Sequence, residues 1–222
     1  MSHLAHNITP TQLRQQWKPI EDSAREYTKV RMHRALSWLD RAQACDQNDL
    51  DIALLCRWTA FNALYGQWDM ETKFPMPEKE SWQTFADRIL LLDKDEFVAN
   101  VFRRHDRSLH EIVANKYLNS KRWADHEIQN GEQRDQTVIQ YQQWRTNKTW
   151  QAIFDEVLDR TYLLRCQMVH GASTYNSKLN RPNVSKCNLV LKDLITAVCL
   201  VIINYGVDED WGIMCYPPLH QT

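Results

Sequence analysis

Residues Leu50–Tyr65 read LDIALLCRWTAFNALY. Drawn as a helix, this stretch is apolar nearly all round, so it belongs inside a fold with other elements packed about it. Asn48 or Asp49 can cap its first N–H groups, and Gly66 can end it. A buried helix of this kind predicts an all-α protein, an antiparallel helical bundle with a polar insertion. Asn62 interrupts the apolar run. It reads either as a satisfied core amide or as a group lining a cleft, where it would meet substrate.

The flanking sequence continues the helical pattern. Thr9-Pro10 is a helix start, a capping hydroxyl followed by proline in the first turn. Helical spacing of Ile20, Tyr27, Val30, Leu36 and Leu39 runs to about Ala44, with a break or kink near Pro19. Residues 69–80 read as a loop, and shorter helices are expected at about 81–92, 94–104 and 108–118. Residues 119–147 are polar, with six Gln between Gln129 and Gln143, and read as an exposed insertion with partial helix. That insertion is either a solvated connector or a partner-binding arm. Thr149 can cap a long helix from Trp150 to His170, closed by Gly171. The polar loop Ala172–Asn183 leads to a last helix at about 184–204, ending at Gly206. No stretch alternates as a strand, no repeat period stands out, and no glycine-rich phosphate loop is present. One domain over 1–222 is the expectation.

Composition narrows the class. The 222 residues include nine Trp, eight Tyr and six Phe, which excludes a wholly disordered chain. The net charge of −1 excludes bulk attraction to nucleic acid or to an anionic membrane, so any such binding has to come from a local patch. Met1–Pro10 lacks a signal-like apolar stretch, and the apolar run Leu194–Ile203 is too short to span a bilayer. A cytoplasmic protein with no membrane contact is expected. Cys45, Cys56, Cys166, Cys187, Cys199 and Cys215 form no CxxC pair and sit mostly among apolar neighbours, so they read as buried reduced thiols.

One window departs from the average. From Arg160 to Lys192 there are Arg160, Arg165, Lys178, Arg181, Lys186 and Lys192 and no acid, a local charge of +6. The loop inside it adds hydroxyls, amides and Tyr175, a mixture that suits phosphate and sugar contacts with base stacking. The other reading is a solvated loop whose charges are balanced by neighbours in three dimensions.

Within the window lies Arg165-Cys-Gln-Met-Val-His170-Gly171. Arg, four intervening residues and His recur by spacing alone elsewhere in the chain in similar form, at Arg103 and Arg104 before His110. Only the Arg165–His170 pair falls at the end of a long expected helix, before a glycine and a basic loop. In that setting the sequence resembles the HEPN superfamily, helical-bundle proteins that include metal-independent RNases of prokaryotic defence and toxin–antitoxin systems. The strings LLRCQMVHG…LNRPNV and WTAFNALYG are similar to its Apea-like branch.

The chemistry of such a pair is direct. RNA carries its own nucleophile, the 2′-OH. His170 has the ordinary pKa range to take or give a proton near neutrality. Arg165 stays charged and can fork two donors onto the phosphate as charge builds. The resemblance implies a homodimer in which two motifs converge, a 2′,3′-cyclic phosphate and 5′-OH as products, no metal and no cofactor. It also admits an antitoxin or other regulatory protein as partner. Arg165 and His170 are the expected catalytic pair. Gln167, Tyr175, Lys178, Asn180, Arg181 and Asn62 are the expected substrate contacts. Two departures from the family pattern stand out. Cys166 follows the arginine where a polar residue, often Asn, is usual, and Ala172 stands where some toxins carry a modifiable Tyr. Two other classes stay open: a non-catalytic module binding RNA or a nucleotide, and a helical interaction subunit docking through the Gln-rich segment.

Overall fold

A computed structural model describes residues 8–46, 48–120, 123 and 136–216. Among these residues the chain forms nine α-helices and no strand. They are α1 (Pro10–Trp17), α2 (Glu26–Cys45), α3 (Leu50–Tyr65), α4 (Glu78–Leu92), α5 (Phe97–Arg104), α6 (Asp106–Val113), α7 (Gln136–Asn147), α8 (Trp150–Val169) and α9 (Arg181–Tyr205). The expected all-α bundle is present.

α3 is at its centre, packed along α2 on one side and α9 on another. Asp49 caps it, its carboxylate accepting from the Ile52 N–H at 3.1 Å. Gly66 ends it because space is short: a Cβ there would stand 2.9 Å from the Asn62 carbonyl oxygen. Trp58, Phe61 and Tyr65 from α3 meet Trp82 and Phe85 from α4 and Phe154 from α8, mostly edge to face. Rings of this size contribute large buried areas and fix the angle at which neighbours approach. Trp58 and Tyr65 are thus core residues.

The N-terminal helical stretch is divided in two. Thr9 and Gln12 form the expected reciprocal cap of α1. α1 stops at Trp17, a short 3-10 turn covers Glu21–Ser23, and α2 begins at Glu26. Pro19, without an N–H to give, marks the break. Later boundaries shift for a local reason. The Asp93 carboxylate accepts from the Phe97 and Val98 N–H groups at 2.7 and 2.9 Å, which holds back the start of α5. α6 ends at Val113 and only a 3-10 turn, Lys116–Leu118, follows it. Thr149 precedes α8, yet its hydroxyl makes no cap bond.

The expected insertion with partial helix carries α7 among its described residues, with Tyr141 that helix's one buried residue. α7 packs on α6 and α8 and buries Tyr141, whose OH donates to Asp106 Oδ1 at 3.1 Å. Arg145 also pairs with Asp106, at 2.6 Å. This part belongs to the bundle and is no loose connector. Residues 121–122 and 124–135, with the earlier glutamines, lie outside the described residues.

α9 runs for 25 residues and is long and apolar enough, by length and composition, to cross a membrane. The ten-residue run measured in the sequence understates it. Of its most apolar stretch 83 % is buried inside the fold, against α3, α5 and α6. All six cysteines are free. Cys45, Cys56, Cys187 and Cys199 are buried, whereas Cys166 and Cys215 are only half-buried. Burial pushes the Cys187 and Cys199 thiols up to about 12, as inert core groups.

The buried polar groups tie helices to one another. Arg57 on α3 donates to Asn188 on α9 and to Asp46 after α2. Arg31, 2 % exposed on α2, donates to four backbone carbonyls: Leu64 and Gly66 at 2.9 and 2.7 Å, and Trp211 and Gly212 at 3.1 and 3.2 Å. Burial brings its guanidinium down to about 10, still charged at neutral pH. The end of a helix leaves carbonyls without partners, and Arg31 serves those of α3 while fastening the C-terminal segment over them. Replacing it by alanine would leave four acceptors without this donor, two of them buried. Arg31→Ala is expected to cost about 3 kcal/mol or more of unfolding free energy, read by urea denaturation. A loss below about 1 kcal/mol would contradict this role.

Candidate functional site

Four helices and the C-terminal segment turn one face each toward a common cleft. α2 supplies Arg34 and Trp38, one turn apart. α3 supplies Thr59, Asn62 and Ala63, with Gly66 beyond its end, the i, i+3, i+4 stripe of a single face. α4 supplies Glu78 and Ser81 from its first turn, α8 supplies Arg165, and Met214, Cys215 and Tyr216 close the wall. The cleft holds about 390 Å³.

Arg165 lies on the penultimate turn of α8, half-buried. Its guanidinium lies 5.9 Å from the centre of the Tyr162 ring, and its Nη1 donates to Cys166 Sγ at 3.8 Å. No carboxylate pairs with it among the described residues. Burial and the Cys166 neighbour push the Tyr162 phenol up to about 12, the thiol's hydrogen bond being the larger cause. Arg34 is committed to structure: it donates to the Cys215 and Tyr216 carbonyls at 3.2 and 2.8 Å, holding that wall. Glu78 accepts through Oε1 from Trp58 Nε1 and Tyr65 OH, both at 3.0 Å. Burial first, then Glu78, drives the Tyr65 phenol far above its ordinary range, so it acts as a fixed donor.

The expected site residues divide into groups. Arg165 and Asn62 meet in this cleft. Gln167 and Asn180 line a second hollow, with Cys166, Leu163, Tyr117 and Ala172. There Gln167 Nε2 donates to the Tyr117 carbonyl at 3.0 Å and Asn180 Nδ2 to Ser173 Oγ at 2.9 Å. Two residues along a helix are 200° apart, so Arg165 and Gln167 serve opposite sides of α8. His170 forms the C-cap and is exposed, its N–H donating to the Cys166 carbonyl at 2.9 Å. Helical rotation sets it on the Cys166 side, away from Arg165.

The basic loop docks on the start of α3. Tyr175 OH donates to Asp49 Oδ2 at 2.8 Å, and Asp51 Oδ2 accepts from the Asn176 N–H at 2.7 Å and Arg181 Nη2 at 2.9 Å. Asp51 is itself 7 % exposed. Tyr175 and Arg181 thus hold the loop to α3, while Tyr175 itself stays exposed. For four of its six cations the +6 window follows the second reading, charges balanced by neighbours in three dimensions. Arg160 pairs with Glu156, Arg181 with Asp51, Lys186 with Glu111 and Lys192 with Asp46. Lys178 stays exposed. The acids that balance the window come from outside it.

Arg34, Glu78 and Ser81 were not singled out in the sequence. Their only signal is spacing: i, i+3 or i+4 repeats of polar residues on helices whose other faces are buried. Glu78 also fell within a stretch read as loop. Among the described residues no three His, Cys, Asp or Glu side chains stand together as a metal ion would need.

The end of α8 depends on Gly171. Its φ is +73°, and its N–H donates to the Met168 carbonyl at 3.3 Å, while a Cβ there would meet nothing within 4 Å. The requirement is conformational alone. Gly171→Ala should lower unfolding free energy by about 1 kcal/mol, measured by denaturant titration, through backbone strain at the turn that presents His170. An unchanged midpoint would contradict it.

Compared with protein-family models, curated proteins and solved structures, the chain finds no match. Its function is therefore argued from the chemistry of these residues.

Proposed function

We propose that this chain is a HEPN-type endoribonuclease that cleaves RNA without a metal, through Arg165 and His170. The observation that carries the reading is the state of Arg165. Four of the six cations in the basic window are neutralised by carboxylates, whereas Arg165 faces a cleft with no acid paired to it. A half-buried guanidinium left unpaired beside aromatic rings is prepared for an anion from outside the chain. His170 stands exposed at the end of the same helix.

In the proposed reaction His170 takes the proton of the 2′-OH, whose oxygen attacks phosphorus. Arg165 forks onto the phosphate oxygens as charge builds in the pentavalent state. A second histidine protonates the leaving 5′-oxygen. Arg165 and His170 of one copy face different sides of α8, so the reading requires a homodimer in which the motifs of two copies meet at one phosphate. RNA is the partner, and an antitoxin or regulatory protein is compatible with it.

The runner-up is a binding module for RNA or a nucleotide with no cleavage. It is favoured by the same separation of Arg165 from His170 and by Cys166 in place of a polar group.

The test is incubation with mixed RNA in EDTA and mapping of product ends. Wild-type protein should yield 2′,3′-cyclic phosphate and 5′-OH ends. His170→Ala should lower the rate about 10²–10⁴-fold, as loss of a general acid–base does. Arg165→Ala should lower it about 10²–10³-fold, as loss of one charge-stabilising donor does. Cleavage unchanged in His170→Ala would overturn the assignment, and binding with no product from the wild type would leave the binding module.

A further inference from the structure

The cleft that holds Arg165 also contains groups that the fold leaves open. Ser81 is 2 % exposed and lines the cleft, yet among the described residues its hydroxyl has no hydrogen-bond partner. A buried hydroxyl without a partner costs stability unless something polar meets it. One turn earlier on α4, Glu78 uses Oε1 for Trp58 and Tyr65, and no donor among the described residues reaches its Oε2. Trp38 and Tyr216, 42 % and 69 % exposed, also line the cleft and offer ring faces. Arg34 fixes the position of Tyr216 through its carbonyl. At about 390 Å³ the cleft is of the size of small-molecule sites.

These groups specify a ligand. A free guanidinium takes a phosphate, ring faces take a base by stacking, and a carboxylate oxygen takes N–H groups. Guanine presents two adjacent N–H donors on its pairing edge, at N1 and N2. Adenine and cytosine set their amino group beside an acceptor nitrogen, which repels a carboxylate, and uracil sets its single N–H between two carbonyls.

We propose that this cleft is a guanine-reading subsite for one nucleotide, with Glu78 as the specificity-determining group, Arg165 on the phosphate and Ser81 supplying a further hydrogen bond. The inference rests on the reading of the chain as an RNA-directed protein and adds the base that it selects. It needs no contribution from His170, which faces elsewhere.

Calorimetric titration of the full chain with guanosine, GMP, IMP, AMP, UMP, CMP and inorganic phosphate tests it. GMP should bind about tenfold or more tightly than AMP, the discrimination of a good bidentate base contact. Glu78→Gln can still accept from Trp58 and Tyr65 but should lose the preference for GMP. Arg165→Ala should weaken GMP and spare guanosine. Helical circular dichroism and the melting midpoint establish that each variant is folded. Should Glu78→Gln not fold, the wild type alone decides, since IMP lacks the N2 amino group and should bind more weakly than GMP. No nucleotide binding, equal affinity for GMP and AMP, or equal affinity for GMP and IMP would overturn the subsite. RNA end-mapping on the same preparations separates the two proposals. GMP binding without cleavage sustains the subsite and defeats the nuclease, and cleavage without GMP binding does the reverse.

Discussion

Four backbone carbonyls converge on one buried guanidinium, and the arrangement of the bundle depends on it. α3 is apolar enough to be surrounded, but its C-terminal carbonyls still need donors. Arg31 on α2 provides them through Nη1, and its Nη2 donates to carbonyls of the segment at 211–212. One side chain therefore joins α2, the end of α3 and the C-terminal segment. Arg34, three residues on, repeats the device at Cys215 and Tyr216. The cleft exists because these two arginines hold a strap of chain against α2 and α3. Its wall is a consequence of how the central helix is terminated.

Charge shows the same economy. A window of the sequence with six cations and no acids looks like a nucleic-acid surface, yet three of its cations meet acids distant in sequence. Asp51 at the start of α3, Asp46 after α2 and Glu111 on α6 are brought to it by helix packing. What survives this neutralisation is more informative than the window itself. Arg165 keeps its charge free in a cleft walled by aromatic rings. Surface ion pairs are individually weak, but they remove a cation from consideration as an anion site.

The fold was legible where one face or all faces of a helix were apolar. Leu50–Tyr65 announced itself, its caps Asp49 and Gly66 were read from residue type, and α8 and α9 were found within a few residues of their ends. Boundaries set by long-range or side-chain contacts were not legible, as with Asp93 holding back α5. Tyr141 was hidden in a polar segment because a single buried ring leaves no periodic signal. Of the candidate site, Arg165 and Asn62 could be picked out, one by motif and one as a polar break in an apolar helix. Their meeting in one cleft could not, since it depends on the rotation of α8 against α3. Glu78 and Ser81 carried no signal beyond their spacing: a short polar helix turn looks the same whether it faces solvent or a ligand. The docking of Tyr175 and Arg181 on acids was not legible, because a loop that docks on acids and a loop that binds phosphate have the same composition.

The proposed reading has Arg165 alone among the arginines of the window meet RNA phosphate. Its most direct measurement is the salt dependence of single-stranded RNA affinity for the wild type, Arg165→Ala and Arg181→Ala. Loss of one phosphate contact should reduce the slope of log affinity against log salt by about 0.7 for Arg165→Ala. Arg181, spent on Asp51, should leave the slope unchanged when removed. Affinity that does not respond to salt, or equal slopes for the wild type and Arg165→Ala, would contradict the account.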